Sequence, residues 1–191
     1  ITSSKFTSGT LKKLPRAREP LLPASSLGPA DFFALNETFV ECHPERGFDK
    51  AKLAKQAISH SQQKNVAKLR LALGHFNGLL RELGLSAFVY AGTLLGWQRE
   101  CRLIPHTTDV DFAVPVGQMS EALLGLFRSL RRPYLRWEFG DHLHDSVELS
   151  FVLDGVQVDL FTAYPLPDGR PGFYIPGTVS WDRQKLRWEY P

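Results

Sequence analysis

Two aspartates stand two residues apart in His106-Thr107-Thr108-Asp109-Val110-Asp111, where a polar run gives way to the apolar Val110, Phe112 and Val114. Side chains alternate along a strand, so both carboxylates point to one face and the apolar residues to the other. Two like charges side by side are costly unless a cation neutralises them. Paired hard oxygen ligands suit Mg2+ or Mn2+ shared with substrate phosphates. The other reading of so short a motif is a solvated surface pair.

A third carboxylate follows from a hairpin. Asp154-Gly155 is a two-residue turn signal between the apolar-rich segments 147–153 and 156–162. Counting out from that turn, Leu153 faces Val156, Ser150 faces Asp159 and Glu148 faces Phe161. Val147, Leu149, Phe151 and Leu153 then share a core face with Val156, Val158 and Leu160, and Asp159 is left on the opposite face beside Ser150, diagonal to Glu148. An unpaired ionised carboxylate inside an apolar run is expensive, and a metal or a basic partner such as Arg99 or Arg102 relieves the cost. Asp159 is therefore the candidate third metal carboxylate. Glu148 is a candidate substrate contact, with a surface role as its alternative.

Gly92-Thr93 closes the short apolar run 87–90 and opens a helix. A glycine there lets backbone amides and a hydroxyl approach a phosphate, while the plainer reading makes Thr93 an N-cap. Arg99 is a candidate phosphate contact or the member of an ion pair with Glu100 or Asp141. His106 is a candidate donor contact or a loop histidine satisfied locally. Tyr164, Phe173, Tyr174 and Trp181 fall in a Pro/Gly-rich stretch that reads as loop. Such rings pack inward or stack on a base or sugar, and Trp181 is taken as a candidate substrate residue.

The elements that must position these groups follow from periodicity. Val66, Leu69, Leu73, Phe76 and Leu80 mark one face of a helix over 49–83 that Gly84 ends, with Lys50, Lys52, Lys55, Lys64, Lys68 and Arg70 as its solvated side. Segment 87–90 reads as a buried strand, Leu94, Leu95 and Trp97 as a short helix, 110–114 as a half-buried strand, and 120–131 as a helix capped by Ser120. Helix, strand, helix, strand, helix and hairpin make an α+β fold, a mixed sheet flanked by helices in one domain. That domain covers residues 31–191, and residues 1–30 read as an extended linker or stem, or as an arm packed through Leu21 and Leu22.

The chain has 191 residues and net charge +3. Residues 1–30 alone hold +4, from Lys5, Lys12, Lys13, Arg16 and Arg18 against Glu19, so residues 31–191 sum to −1. That balance gives no reason to expect nucleic-acid binding by the body. No apolar run approaches the about 20 residues that span a bilayer. The opening Ile1 leaves room for a signal or membrane anchor upstream. Cys42 and Cys101 form no CxxC pair, which argues against structural zinc and leaves free buried thiols or one disulfide. Asn36-Glu37-Thr38 is a glycosylation sequon if the chain is secretory.

Taken together, these residues resemble the fukutin/LicD family of nucleotidyltransferase-fold phosphotransferases. The likeness rests on Gly92-Thr93-Leu94-Leu95-Gly96-Trp97-Gln98-Arg99, Ile104-Pro105, Asp109-Val110-Asp111, Glu148-Leu149-Ser150-Phe151 and Val158-Asp159-Leu160-Phe161, and covers about residues 86–165. The resemblance implies a nucleotidyltransferase-like sheet and transfer of an alcohol phosphate, such as ribitol phosphate, from a CDP-linked donor to a glycan hydroxyl in the Golgi lumen. It implies Asp109, Asp111 and Asp159 as metal and catalytic carboxylates, Gly92-Thr93 as the phosphate-side turn and Arg99 as a donor-phosphate contact. It also implies that the chain, stopping at Pro191, lacks later acceptor-binding sequence. A nucleotide-sugar glycosyltransferase with a DxD motif would need neither Gly92-Thr93 nor Asp159. A nucleotide-adding enzyme of the same fold would want a basic surface. A non-catalytic domain that binds a glycan or partner would not need three carboxylates.

Overall fold

The computed structural model describes residues 10–13, 58–140, 143, 146–178 and 185–190. In chain order the elements are β1 (Thr10–Lys13), α1 (His60–Glu82), β2 (Phe88–Val89), α2 (Ala91–Glu100), β3 (Asp109–Pro115), α3 (Glu121–Ser129), β4 (Tyr134–Phe139), β5 (Glu148–Leu153), β6 (Val156–Pro165), β7 (Phe173–Thr178) and β8 (Lys185–Tyr190). The fold is α+β with one mixed sheet, as the sequence predicts.

Helix α1 begins at a capping box. The Ser59 hydroxyl accepts from the Gln62 amide at 3.3 Å, and the Gln62 side chain accepts from the Ser59 amide at 2.9 Å. Positions 49–57 of the predicted helix lie outside the described residues. Leu69, Ala72, Phe76 and Leu80 are buried along α1, and Leu73 is partly buried against the same core. Gly84, at φ 73, takes the left-handed conformation after the helix end. Ser120 caps α3 by accepting from the Leu123 amide at 3.1 Å.

The middle of the sheet runs β2–β3–β6, and only β3 and β6 are parallel. Strand β6 is long. Its first part pairs with β5, which carries β4 at the edge, and its last residues pair with β7, then β8 and β1. The β5–β6 hairpin has the register read from its turn, with Ser150 opposite Asp159 and Glu148 opposite Phe161. Helices α1 and α3 cover one face. Phe76 meets Phe112 at 5.4 Å and Phe151 at 5.2 Å between ring centroids, and Phe127 meets Phe151 at 5.4 Å. Strand β3 is buried on both faces after Asp109 rather than half-buried, because Ala113 on the other face packs with Tyr90, Ala163 and Ile175.

Four strands lie where the sequence suggests none. Besides β1, β4 is an exposed edge whose irregularity between Leu135 and Trp137 breaks the two-residue period, and β7 and β8 arise in the stretch read as loop, where Pro176 and Gly177 interrupt the alternation that marks a strand. Tyr164 and Tyr174 stack there at 5.2 Å, both buried, and Phe173 stacks on Tyr190 at 5.1 Å. These rings are packing residues. In the basic leading segment, the four described residues form β1, paired with β8. Cys101 caps α2 in a left-handed conformation at φ 52 and is disulfide-bonded, so the disulfide alternative holds over free thiols. The chain's other cysteine, Cys42, lies outside the described residues, as does the sequon.

Gly96 is required by close approach. A Cβ added there would stand 2.6 Å from the Arg102 carbonyl oxygen and 3.1 Å from the Ile104 amide nitrogen. The loop after α2 thus lies directly against the helix and feeds into β3. Gly96→Val is expected to lower the melting temperature by several degrees, about 2 kcal/mol of overpacking against backbone. An unchanged thermal melt would show that the loop gives way freely.

Candidate active site

Parallel pairing of β3 and β6 sets Asp111 directly beside Asp159, and Asp109 beside Gln157. One carboxylate oxygen from each of Asp109, Asp111 and Asp159 lies within 4.8 Å of the others. Asp111 is 7% exposed and Asp159 6%, on the sheet face opposite α1 and α3.

Each carboxylate is held by a near neighbour. Asp111 Oδ2 accepts from the Thr93 amide at 3.2 Å and from the Thr93 hydroxyl at 3.3 Å, while the Asp111 amide donates back to Thr93 Oγ1 at 2.8 Å. The start of α2 is thereby locked to the middle of β3. A Cβ added at Gly92 would come within 3.5 Å of Asp111 Oδ2, so glycine keeps that flank of the carboxylate open. The Thr107 hydroxyl donates to Asp109 Oδ1 at 2.6 Å, and Gln157 Nε2 donates to Asp159 Oδ2 at 2.9 Å. Asn65 of α1 ties down the approach to β3 through the carbonyls of Pro105 and Thr107, at 3.2 and 2.8 Å.

The other Asp159 oxygen, Oδ1, is buried and has no hydrogen-bond partner; nor has the neighbouring Ser150 hydroxyl. Ser150 is close enough to temper the charge on Asp159 without reaching hydrogen-bond geometry. Burial raises the Asp159 carboxyl above its ordinary range, and Asp109 raises it further. Burial, with help from Asp109 and Asp159, pushes Asp111 up to about 6. Burial and the charges of Asp159 and Asp111 push Glu148 up to about 7. Like charges are thus confined where water cannot screen them. A buried carboxylate oxygen without a partner and three oxygens converging at this spacing fit a hard divalent cation.

The sequence-predicted residues separate into two groups. Asp109, Asp111, Asp159, Glu148, Gly92 and Thr93 come together. Thr93 does so by binding Asp111 with both its amide and its hydroxyl, beyond the simple N-cap or phosphate contact expected of it. Arg99 is half-buried in the last turn of α2, and His106 is exposed in the loop before β3. Trp181 and Asp141 lie outside the described residues. Thr107 and Gln157 were missed. Each stands two residues before an aspartate, and the same alternation that aligns Asp109 with Asp111 aligns Gln157 with Asp159. Tyr90 was also missed as a site neighbour. Its amide donates to the Asp111 carbonyl at 3.0 Å and its hydroxyl shares a 2.7 Å hydrogen bond with that of Tyr190, so burial keeps the phenol protonated.

A mixed sheet bearing three carboxylates on adjacent strands, beside a Gly-Thr helix start, defines a nucleotidyltransferase-type domain. The family model for the LicD/FKTN/FKRP nucleotidyltransferase domain matches residues 84–190, more than half of the chain, and the chain belongs to that family. It is similar to the ribitol-5-phosphate transferase FKTN of Macaca fascicularis and of Homo sapiens, each 30% identical over 156 residues. Both matches cover 80% of this chain and 32% of the relative. An uncharacterized protein of Caenorhabditis elegans, T07A5.1, is 33% identical over 111 residues, covering 56% of this chain and 29% of its own length. The chain spans about a third of the length of these relatives.

Proposed function

We propose that residues 31–191 are a catalytic domain that transfers an alcohol phosphate, ribitol phosphate or a close analogue, from a CDP-linked donor to a glycan hydroxyl. The observation that carries this is the convergence of one carboxylate oxygen each from Asp109, Asp111 and Asp159, with Asp159 Oδ1 buried and without a hydrogen-bond partner. The names of the FKTN relatives support the phosphate-transfer class. The net charge of −1 on residues 31–191 favours a small donor over a polynucleotide. The disulfide at Cys101 supports folding in an oxidising compartment and a place in the Golgi lumen. Among the described residues no helix is long and apolar enough to cross a membrane.

Asp109, Asp111 and Asp159 would hold Mg2+ or Mn2+. Bound there, the ion supplies charge neutralisation for the phosphoryl oxygens and the departing CMP. Thr93 fixes the orientation of Asp111 through three hydrogen bonds, so the carboxylate does not reorganise during reaction. Gly92, at the N-terminus of α2, leaves the flank of Asp111 open to the donor phosphates and the positive end of the helix favours them. Arg99 adds fixed positive charge for a phosphate oxygen, and His106 reaches the donor from the loop. Glu148, with its carboxyl pushed up to about 7, stands diagonal to Asp159 across the β5–β6 pair and takes the proton of the attacking hydroxyl.

Melting curves with Mg2+ and CDP test the donor site. Millimolar CDP should raise the melting temperature by several degrees with Mg2+ or Mn2+ and much less with EDTA. CDP-ribitol, CDP-glycerol and CDP-choline should then separate by turnover. No shift with any of these ligands in either metal would sink the reading.

A further inference from the structure

The three large aromatic side chains of β4 are exposed: Tyr134 at 50%, Trp137 at 51% and Phe139 at 37%. Residues opposite one another on paired strands present their side chains to the same face. Trp137 is opposite Ser150, Phe139 opposite Glu148 and Tyr134 opposite Val152. Ser150 is in turn opposite Asp159, which is beside Asp111. Asp111, Asp159, Ser150 and Trp137 therefore form one lateral row on one sheet face, with Glu148 and Phe139 in the adjacent row. The irregularity between Leu135 and Trp137 makes this possible. It leaves Leu135 opposite Phe151, packed against the core, and turns Trp137 to the carboxylate face.

We infer that this aromatic shelf on β4 is the platform on which the acceptor glycan lies, in line with the carboxylates; the inference rests on the transferase reading above. Strands are spaced about 4.8 Å apart, so Trp137 stands roughly 10 Å from Asp159 along the row, a span that a short oligosaccharide covers. The Gly92-Thr93 turn engages Asp111 from the β2–α2 side, and the shelf lies beyond Asp159 on the other side. That division assigns donor phosphates to one flank and acceptor to the other, with Glu148 between hydroxyl and shelf. The C–H face of a pyranose is apolar and slightly positive, and it matches the negative face of an aromatic ring. The Arg136 guanidinium lies over the Trp137 ring at 5.5 Å, which steadies the indole and adds hydrogen-bond donors for sugar hydroxyls.

The test uses the full chain with Mg2+ and CDP on an array of immobilised hexose, N-acetylhexosamine and pentose oligosaccharides. Wild type should retain at least one class. Trp137→Ala and Phe139→Ala should each weaken capture about tenfold, the loss of one aromatic contact worth about 1.4 kcal/mol. Trp137→Phe should restore most of it, and the Mg2+–CDP melting shift should be the same in all variants. Capture unaffected by both alanine variants would overturn the platform, as would no capture by a wild type that responds to CDP. Sedimentation showing that Trp137→Ala dissociates a dimer without changing capture would also overturn it, by giving the shelf to a second copy. Trp137-dependent capture with no CDP response would instead sink the transferase reading and leave the platform standing.

Discussion

Asp111→Asn is expected to reduce phosphate transfer by about 10³-fold while the metal-free melting temperature holds or rises. The two effects part because the carboxylate is a burden to the fold and a requirement of the proposed chemistry. Asp111 is 7% exposed, has Asp109 and Asp159 as like-charged neighbours, and is pushed up to about 6. A neutral amide of the same shape removes that repulsion and can still accept from Thr93. What it cannot do is contribute negative charge to the divalent site, so metal affinity falls and with it the neutralisation of the transferring phosphoryl group. A core substitution would give the opposite pattern, with activity lost in proportion to stability. Transfer at the wild-type rate by Asp111→Asn with saturating Mg2+ would remove Asp111 from the mechanism. A fall in melting temperature of many degrees would show that the carboxylate is structural.

The parts of this site that could be read in the sequence are those fixed by local geometry. Asp154-Gly155 sets the β5–β6 register because a two-residue turn leaves no freedom in the count. That alone puts Asp159 on the face opposite Val158 and Leu160. The alignment of Asp109 with Asp111 needs only the two-residue period of a strand. What could not be read is the pairing of β3 with β6. Parallel strands are joined by a long crossover, here spanning α3, β4 and β5, and no turn fixes their offset. The direct adjacency of Asp111 and Asp159 is a product of that non-local register. So is the row that ends at Trp137, since the irregularity between Leu135 and Trp137 breaks the two-residue period that would mark β4 as a strand. The dual bond between Thr93 and Asp111 likewise depends on how α2 packs on β3. Cys101 gave no indication of its pairing, because two lone cysteines have no spacing to interpret.

Acidification should stabilise the metal-free protein between pH 8 and pH 5.5. The groups responsible are Asp111, with an ordinary value of 3.8 raised to about 6, Glu148, with an ordinary value of 4.5 raised to about 7, and Asp159, which burial also raises. A carboxyl raised by folding binds its proton more tightly in the folded state than in the unfolded chain. Its contribution to stability is complete below about 4 and is lost as pH climbs through 6 and 7. The exposed pairs Arg132–Asp154 and Arg170–Asp168 and the pair Arg128–Glu138 act in the opposite sense. Their carboxyls are lowered, so what they contribute is lost only in more acid solution, outside this window. Discounting for the partial exposure of Glu148, the gain from pH 8 to pH 5.5 in EDTA is about 2 kcal/mol, or several degrees of melting temperature. Mg2+ should flatten or reverse the slope, because a cation binds the deprotonated carboxylates and releases their protons. Asp111→Asn combined with Glu148→Gln should shrink the EDTA slope by removing two of the titrating groups and leaving Asp159. Melts in EDTA that are flat in wild type, or that fall with acid, would mean that the carboxylates are already neutralised inside the protein. A cation would then not be needed to hold them together.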